Sequence, residues 1–474
     1  MTDMALFVWT RANGCPRQLG TLMRIGGRAT MSYEPAAGDL PGLSVLHDMP
    51  SFAGRSVSWD IDQSLPLPPP LCHLVPPRNP ENLQRRALLR RLERMGGAPS
   101  DPIDLEWELL RLAGRGGVGH LDVFASQEQA QAFYRVRPPA PISLGDNIWA
   151  AAATLIEGAP VAPVEEEALF EMVGAHPSGA GVMPKLLLPV VIDGEVVQAV
   201  AKMRDDRRYP GVLALEKLCL DIHREAGFPV PRTWLRTADS GMHILLVERF
   251  DQAGGVPVPM ESAFSALNVA FGGRVRDRWT ETGKTPSLEM LAALFTRLQP
   301  SVSTRPAQDA ADLYARLCMA FLTGNGDTHL ENFALVGRRD ECRLSPVFDP
   351  APMRGYWGHR MVTSLAFGGM DTRVCRGGSE PGLGTAFVGL AQAFGLRPSD
   401  AQDVFDRCLQ ATQGYEERVR ASGAPSHVCD MLLGQIGGDV WRLTQAFRAA
   451  KPRQVAVPTP AAKDHDDDDG PGTR

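Results

Sequence analysis

Asp327 and Asn332 stand five residues apart in the stretch TGNGDTHLENFAL (residues 323–335), directly behind an apolar helical pattern. On a loop that leaves a helix, this spacing lets both side chains converge on one point. A carboxylate that accepts a hydroxyl proton and an amide oxygen that holds Mg²⁺ are two parts of a phosphoryl-transfer site. Such a site needs a second acidic metal ligand and a cation for the phosphates. Asp349, in SPVFDPAPM, follows a short apolar run seventeen residues beyond Asn332. Lys202 ends the run VVQAVAKM, and Glu216, central in the helical pattern that follows, is placed to orient it.

Each of these signals is weak when taken singly. An Asp-x4-Asn spacing alone reads as an Asx-turn with a helix cap, a strand-end lysine as a solvated tip, and Glu216 as a surface helix residue. Their joint order is what carries meaning: strand Lys, helix Glu, a strand pair, a helical region, Asp-x4-Asn, then Phe-Asp. Protein-kinase-like folds arrange their parts in this order. A phosphate-covering segment is also available in AHPSGAGVMPKLLL, where Gly179 and Gly181 permit close backbone approach to an anion. Lys185 either adds charge there or sits on the surface. The segment departs from the kinase G-x-G-x-x-G. Asn325 is expected to stabilise the turn, and His329 fits either a structural or a catalytic role.

The elements that must position these residues can be read from periodicity. Residues 5–33 alternate as short strands around Asn13-Gly14, and a Pro-rich loop follows at 65–77. ENLQRRALLRRLERM and DPIDLEWELLRLAG are helical, the second closed by Gly114. A loop near 135–145 marks a boundary. LLLPVVIDGEVVQAVAKM is a hairpin around Asp193-Gly194. Pro210 should open the helix GVLALEKLCLDIHREAG and Gly227 should end it, before two more strands around Asp239-Ser240-Gly241. From Thr285-Pro286 onward the chain is mostly helical, with patterns at 385–395, 398–420 and 427–449. The acidic end KDHDDDDGPGTR is expected to be disordered.

Composition sets limits on all this. With 474 residues, two or three domains are expected, and 44% apolar with 22% charged residues is a globular balance. A net charge of −6 argues against nucleic-acid binding through a generally basic surface. Arg85, Arg86, Arg90 and Arg91 cluster on one helix, where a solvated face is the expectation. The eight cysteines are dispersed without a CxxC pair or zinc spacing, which fits reduced thiols in a cytoplasmic protein. No signal-peptide pattern opens the sequence, and no apolar run approaches the length of a spanning helix.

The segments SGAGVMPK, VVQAVAK, VERFD, NGDTHLENF and SPVFD, in this order, resemble the HipA family of bacterial serine/threonine kinase toxins. NGCPRQLGTL, MSYEP and LSVLHDMP resemble that family's extra N-terminal module more loosely. The resemblance implies an α+β, two-lobe, protein-kinase-like fold. Its parts would be a module at 1–135, a kinase N-lobe at 136–255, a helical C-lobe at 256–455 and a tail at 456–474. It implies Asp327 as general base, Asn332 and Asp349 as Mg²⁺ ligands, and Lys202 on the ATP α/β-phosphates. Glu248 to Phe250 would form the hinge that meets adenine, with Asp251 near the ribose. Ser178 matches the family's autophosphorylated loop serine, whose added charge would expel the loop from beside the ATP phosphates.

By the same resemblance the substrate would be a protein, such as an aminoacyl-tRNA synthetase, with growth arrest as the outcome. A HipB-like helix-turn-helix antitoxin would be the partner and would bring any DNA contact. Three departures stand out: Glu331 where lysine is common, Pro350 after the metal Asp, and an atypical VPMESAFSALNVAFGG after the hinge. The alternatives are a small-molecule kinase of the same broad fold, or a non-catalytic nucleotide-binding scaffold in an antitoxin/DNA complex.

Overall fold

The computed structural model describes residues 3–450 apart from 48, 81, 137–139, 157–182, 204–207, 273–274, 276–284, 300, 360 and 371–381. Ser178, Gly179, Gly181 and the acidic tail therefore lie outside the described residues.

The N-terminal strands form one antiparallel sheet. Strands β1 (Met4–Thr10), β2 (Arg17–Ile25), β3 (Arg28–Tyr33), β4 (Ser56–Asp60) and β5 (Leu121–Phe124) run in the order β4-β3-β2-β1-β5. The first three are legible from alternation: Leu6, Val8, Leu19, Leu22, Ala29 and Met31 fill the inner face. The other two are not. β4 buries no residue fully, and the four residues of β5 are held by pairing with β1, more than a hundred positions away in sequence.

The inner face packs on Trp107, Leu109 and Leu110 of the helix Pro102–Ala113. Asp101 caps that helix by accepting from the amides of Ile103 and Asp104, and Pro102 sits where a missing N–H is harmless. The arginine cluster divides. Arg86 and Arg90 on the helix Leu83–Arg94 are exposed, but Arg85 is buried against Glu106 and the Pro76 carbonyl. A solvated face is thus the wrong description for Arg85, because that edge of the helix meets its neighbour and a buried guanidinium needs a carboxylate.

The second sheet holds β6 (Lys185–Ile192), β7 (Glu195–Met203), β8 (Thr233–Thr237) and β9 (His243–Glu248) in the antiparallel order β6-β7-β9-β8. Asp193 and Gly194 join β6 to β7 with φ of 50° and 85°, the paired positive values of a tight hairpin turn. Side chains of β9 alternate. Ile244 and Leu246 face Ile148, Trp149 and Ala152, while Leu245 and Val247 join the larger core below.

Between β7 and β8 lies the helix Val212–Glu225. Pro210 does not open it. The first cap is Gly211, at φ 76°, where a Cβ would come within 2.7 Å of Ala424. The far end closes as expected at Gly227: its amide bonds the Arg224 carbonyl and the Phe228 amide bonds that of His223.

Short pairs follow, β10 (Gln252–Ala253) with β11 (Val256–Pro257), then β12 (Met260–Ser262) with β13 (Ala334–Val336) and β14 (Arg343–Leu344). The rest is helical, centred on Pro306–Thr323, whose Tyr314 stacks on Phe387 and meets Phe394 at a tilt while Phe321 packs at a tilt against Phe387. The single helix expected over 398–420 is two, Pro398–Ala411 and Tyr415–Arg420, because Gly414 takes φ 73° between them. Among the described residues no helix is long and apolar enough to cross a membrane.

Glu261 on β12 ties the N-terminal sheet's surroundings to this helical body. Its buried carboxylate accepts from Ser44 Oγ (2.8 Å), the Val45 amide (2.8 Å) and Ser265 Oγ (2.6 Å). Burial raises its pKa to about 6 although these donors pull it down. The folded protein therefore holds the Glu261 proton up to a higher pH than the unfolded chain does. Stability is lost as pH rises from the ordinary carboxylate range through about 6. Comparing urea midpoints at pH 4.5 and 7, Glu261→Gln should remove a pH-dependent loss of about 2 kcal/mol.

Candidate active site

The helix Pro306–Thr323 ends at Gly324, with φ 78°, and delivers the chain into the loop carrying Asp327. Gly326 is pressed against the segment near Met361, whose carbonyl oxygen lies 2.2 Å from where a Cβ would stand. Asn325 Oδ1 accepts from the Asp327 amide at 3.1 Å, the turn-stabilising role its position suggested. Asn332 Nδ2 donates to the Asp327 carbonyl at 2.7 Å. That bond joins the two ends of the loop and leaves Asn332 Oδ1 as its remaining acceptor.

His329 caps the short turn Leu330–Asn332, its Nδ1 accepting from the Glu331 amide at 3.2 Å. An accepting Nδ1 places the ring proton on Nε2, which faces Asp327 Oδ2 at 3.9 Å, beyond hydrogen-bond reach. Its cap on the turn bears on the shape of the loop, and its charge also bears on Asp349. Two supports were invisible in the sequence. Thr363 bonds Thr328 and Ser364 bonds the Gly326 carbonyl (3.1 Å), bracing the loop from below. Arg354, whose amide reaches the Gly324 carbonyl at 3.2 Å, is buried in an ion pair with Asp439 of the last helix, Ser426–Ala450.

Lys202 reaches the same place from the second sheet. Its Nζ pairs with Glu216 and with Asp349 Oδ1, the latter at 2.7 Å. Lys185 stands directly opposite it on β6 and is also buried rather than on the surface. Burial works against the Lys202 charge, but Asp349 and Glu216 outweigh it and lift the pKa above the usual lysine range. Burial likewise opposes ionisation of Asp349, yet Lys202 and Lys185 hold its pKa far below the ordinary carboxylate value. Glu216 is pushed up, first by burial and further by Asp349, against the pull of Lys202. Asp349 itself has φ 55°, a conformation that non-glycine residues seldom adopt and that clusters at functional sites.

Lys185, Lys202, Asn332 and Asp349 line one cleft with the segment 247–251, whereas Glu216 and Asp327 are not among its lining residues. The Glu248 side chain is bound by Arg232 (2.8 and 2.9 Å), and its amide donates to the Arg232 carbonyl at 2.9 Å. The Phe250 ring lies 5.5 Å from that of Phe348, linking the segment to the residue before Asp349. Asp251 lines the cleft, but Arg249 binds both of its oxygens (2.6 and 3.0 Å) and the Gly119 amide adds a third bond at 2.7 Å. Arg249 also donates to the Gly117 carbonyl at 2.9 Å. The N-terminal part thereby grips the segment, and its His73 and Val118 form part of the cleft wall. No local pattern in the sequence points to His73; the Pro-rich loop that carries it reads as a connector.

Asn332 and Asp349 offer oxygen donors to one cleft, the hard-ligand chemistry that suits Mg²⁺ held together with phosphates. Among the described residues there is no cluster of three His, Cys, Asp or Glu that would hold a metal without such help.

The fold and this cleft define a two-lobed α+β protein of the protein-kinase-like class. The sequence profile described as the HipA-like C-terminal domain matches residues 177–415, half of the chain, and the chain belongs to that family. A Sinorhizobium fredii protein named "Putative kinase Y4mE" is 28% identical over 188 residues, covering 37% of this chain. The match spans 42% of that relative's own length. Among solved structures, HipA from the Shewanella oneidensis MR-1 complex of HipA, HipB and operator DNA superposes with a TM-score of 0.58 at 14% identity. It covers 93% of this chain and 97% of its own, so the likeness includes the N-terminal sheet and is one of fold. The Helicobacter pylori proinflammatory kinase CtkA, at a TM-score of 0.39 and 14% identity over 57% of this chain, is too distant to support more.

Asp439→Ala would strand the Arg354 charge in the core beneath the loop, at a cost of roughly 3–5 kcal/mol. Thermal melting should show a large drop, and an apolar double replacement, Arg354→Met with Asp439→Leu, should recover most of it. A double variant as unstable as the single one would mean that packing, not charge, is what the pair provides.

Proposed function

We propose that this chain is an ATP- and Mg²⁺-dependent kinase that phosphorylates a protein serine or threonine. The observation that carries the reading is the meeting of Lys202, Glu216 and Asp349 beside the loop of Asp327 and Asn332, from four separate stretches of sequence. Lys202, held by Glu216, binds the α/β-phosphates. Asn332 Oδ1 and Asp349 would hold Mg²⁺, which would supply positive charge against the negative charge that develops on the transferring phosphate. Lys185 adds a second positive charge to the same wall. Asp327 takes the substrate hydroxyl proton as the new O–Pγ bond forms and the bond from Pγ to the bridging oxygen breaks. ADP is the leaving group. The backbone at 248–250 serves the base.

Lys202 and Asp349 neutralise one another in this structure, so binding exchanges their mutual ion pair for two others. Lys202 turns to phosphate and Asp349 to metal. Two buried charges are less costly to separate when each gains a stronger partner at once, which favours metal and nucleotide binding together.

The Shewanella oneidensis relative in fold is found with HipB and operator DNA, which supports a helix-turn-helix antitoxin as partner here, with DNA reached through it. An aminoacyl-tRNA synthetase as substrate and autophosphorylation at Ser178 follow from the family resemblance. The family resemblance divides the chain into a module at 1–135, an N-lobe at 136–255 and a C-lobe at 256–455; the N-terminal module has a hydrophobic cluster of its own, while residues 212–222, Leu245 and Val247 share theirs with the helical body.

Asp327→Ala should lower phosphoryl transfer roughly 10²- to 10⁴-fold while leaving Mg²⁺-ATP affinity nearly unchanged. Asp349→Ala should weaken Mg²⁺-ATP binding itself. Calorimetry paired with radiolabelled transfer onto proteins and onto metabolites would check both, and identical binding behaviour of the two variants would overturn these roles. Label appearing only on metabolites would replace the protein substrate with a small one.

A further inference from the structure

Among the described residues, Trp357 is the most exposed of the large apolar side chains, at 78%. A lone apolar residue on a surface is ordinary, and what distinguishes this one is how it is held. Tyr356 to His359 form a tight turn closed by the His359 amide on the Tyr356 carbonyl at 3.1 Å. Gly358, third in the turn, takes φ 92°, the positive value that a type II turn needs there, and Trp357 is thereby set at the corner. Both flanks are clamped. The Tyr356 hydroxyl donates to the Pro210 carbonyl at 3.0 Å, and the Tyr209 ring meets those of Tyr356 and His359 edge-on at 5.4 and 5.6 Å. An indole presented on so firm a support loses little freedom when a partner docks on it.

This turn is rooted in the loop that carries Asp327. Upstream of it, the Arg354 amide bonds the Gly324 carbonyl at 3.2 Å. Downstream, the Met361 carbonyl presses on Gly326, the residue before Asp327. The chain thus leaves the loop at 354 and returns to it at 361. Three residues at full stretch span about 10 Å, which bounds the distance of Trp357 from Arg354. An extended substrate covers the same distance in about three residues, so positions flanking a hydroxyl at Asp327 come within reach of the indole. Charge narrows the choice of side chain. The Arg208 guanidinium lies 5.4 Å over the Tyr209 ring, so the cluster already holds a cation and disfavours a second. An acidic side chain would seek Arg208 and not the indole. An apolar one gains most from the indole itself.

We propose that Trp357 contacts the substrate, its indole receiving an apolar side chain of the phosphoacceptor protein about two to five residues from the hydroxyl. This rests on the protein-kinase reading given above and deepens it, by giving the acceptor protein a docking point outside the nucleotide cleft.

Radiolabelled transfer from Mg²⁺-ATP to a serine-centred peptide library, with each flanking position fixed in turn as Leu, Lys, Glu or Ala, tests it on the full chain. Wild-type protein should favour Leu over Ala at one or more positions by about 5- to 30-fold, the scale of one apolar side chain taken out of water. Trp357→Ala should abolish that preference and Trp357→Phe should keep part of it, while calorimetry finds the same Mg²⁺-ADP affinity in all three proteins. Absence of a Leu preference in wild type, or one that survives Trp357→Ala, overturns the inference. So does a preference for Lys or Glu that the substitution removes. An ADP affinity that falls in Trp357→Ala, or a change from dimer to monomer, overturns it too and assigns the indole to folding or self-association. Labelling of intact lysate proteins but of no peptide has the same consequence, whereas transfer to neither overturns the protein-kinase reading instead.

Discussion

The site is organised by one lysine answering two carboxylates. Lys202 Nζ is buried, and an ammonium in that position is tolerable only with charged partners around it. Glu216 and Asp349 supply them, from the helix behind the sheet and from the stretch that follows β14. Three elements that belong to different parts of the chain are thereby required to meet. Lys185, opposite Lys202 across the hairpin, brings the local sum of these four charges to zero. The cluster is therefore neutral but closely poised, and any group that binds one member alters the balance for the others.

Around this cluster the protein invests in rigidity below and in closure above. Below, the loop of Asp327 is held by backbone contacts that only glycine permits at Gly324 and Gly326, by Thr363 and Ser364, and by the buried Arg354–Asp439 pair. Preorganisation of this kind is what the proposed proton acceptor and metal ligand would need. Above, the hinge segment is clasped by the N-terminal part through Arg249, Asp251, Gly117 and Gly119. Glu261 makes a second clasp, through Ser44 and Val45. These contacts make the N-terminal part a wall of the cleft rather than an appendage.

The misreadings have specific physical causes. Arg85 looked like one of four solvated arginines because its partner Glu106 lies on another helix. Pro210 looked like a helix opener because nothing in the sequence tells that residue 424 presses on Gly211. β4 and β5 escaped notice since one lacks a buried face and the other is only four residues long. The first two errors concern partners remote in sequence, Glu106 for Arg85 and Ala424 for Gly211.

Residue order alone determined the parts: alternation and the Asp193-Gly194 turn made the hairpin that carries Lys202, helical spacing placed Glu216, and Asp-x4-Asn with a later Phe-Asp marked the loop of Asp327 and Asn332. Local backbone chemistry dictates such features, so local sequence suffices to find them. Only the tertiary structure decided that Lys185 is buried beside Lys202, that Asp251 is engaged by Arg249 and Gly119, and that His73 reaches the cleft at all. Those outcomes depend on which distant surfaces pack together to bury apolar area, and packing of that kind leaves no periodic trace along the chain.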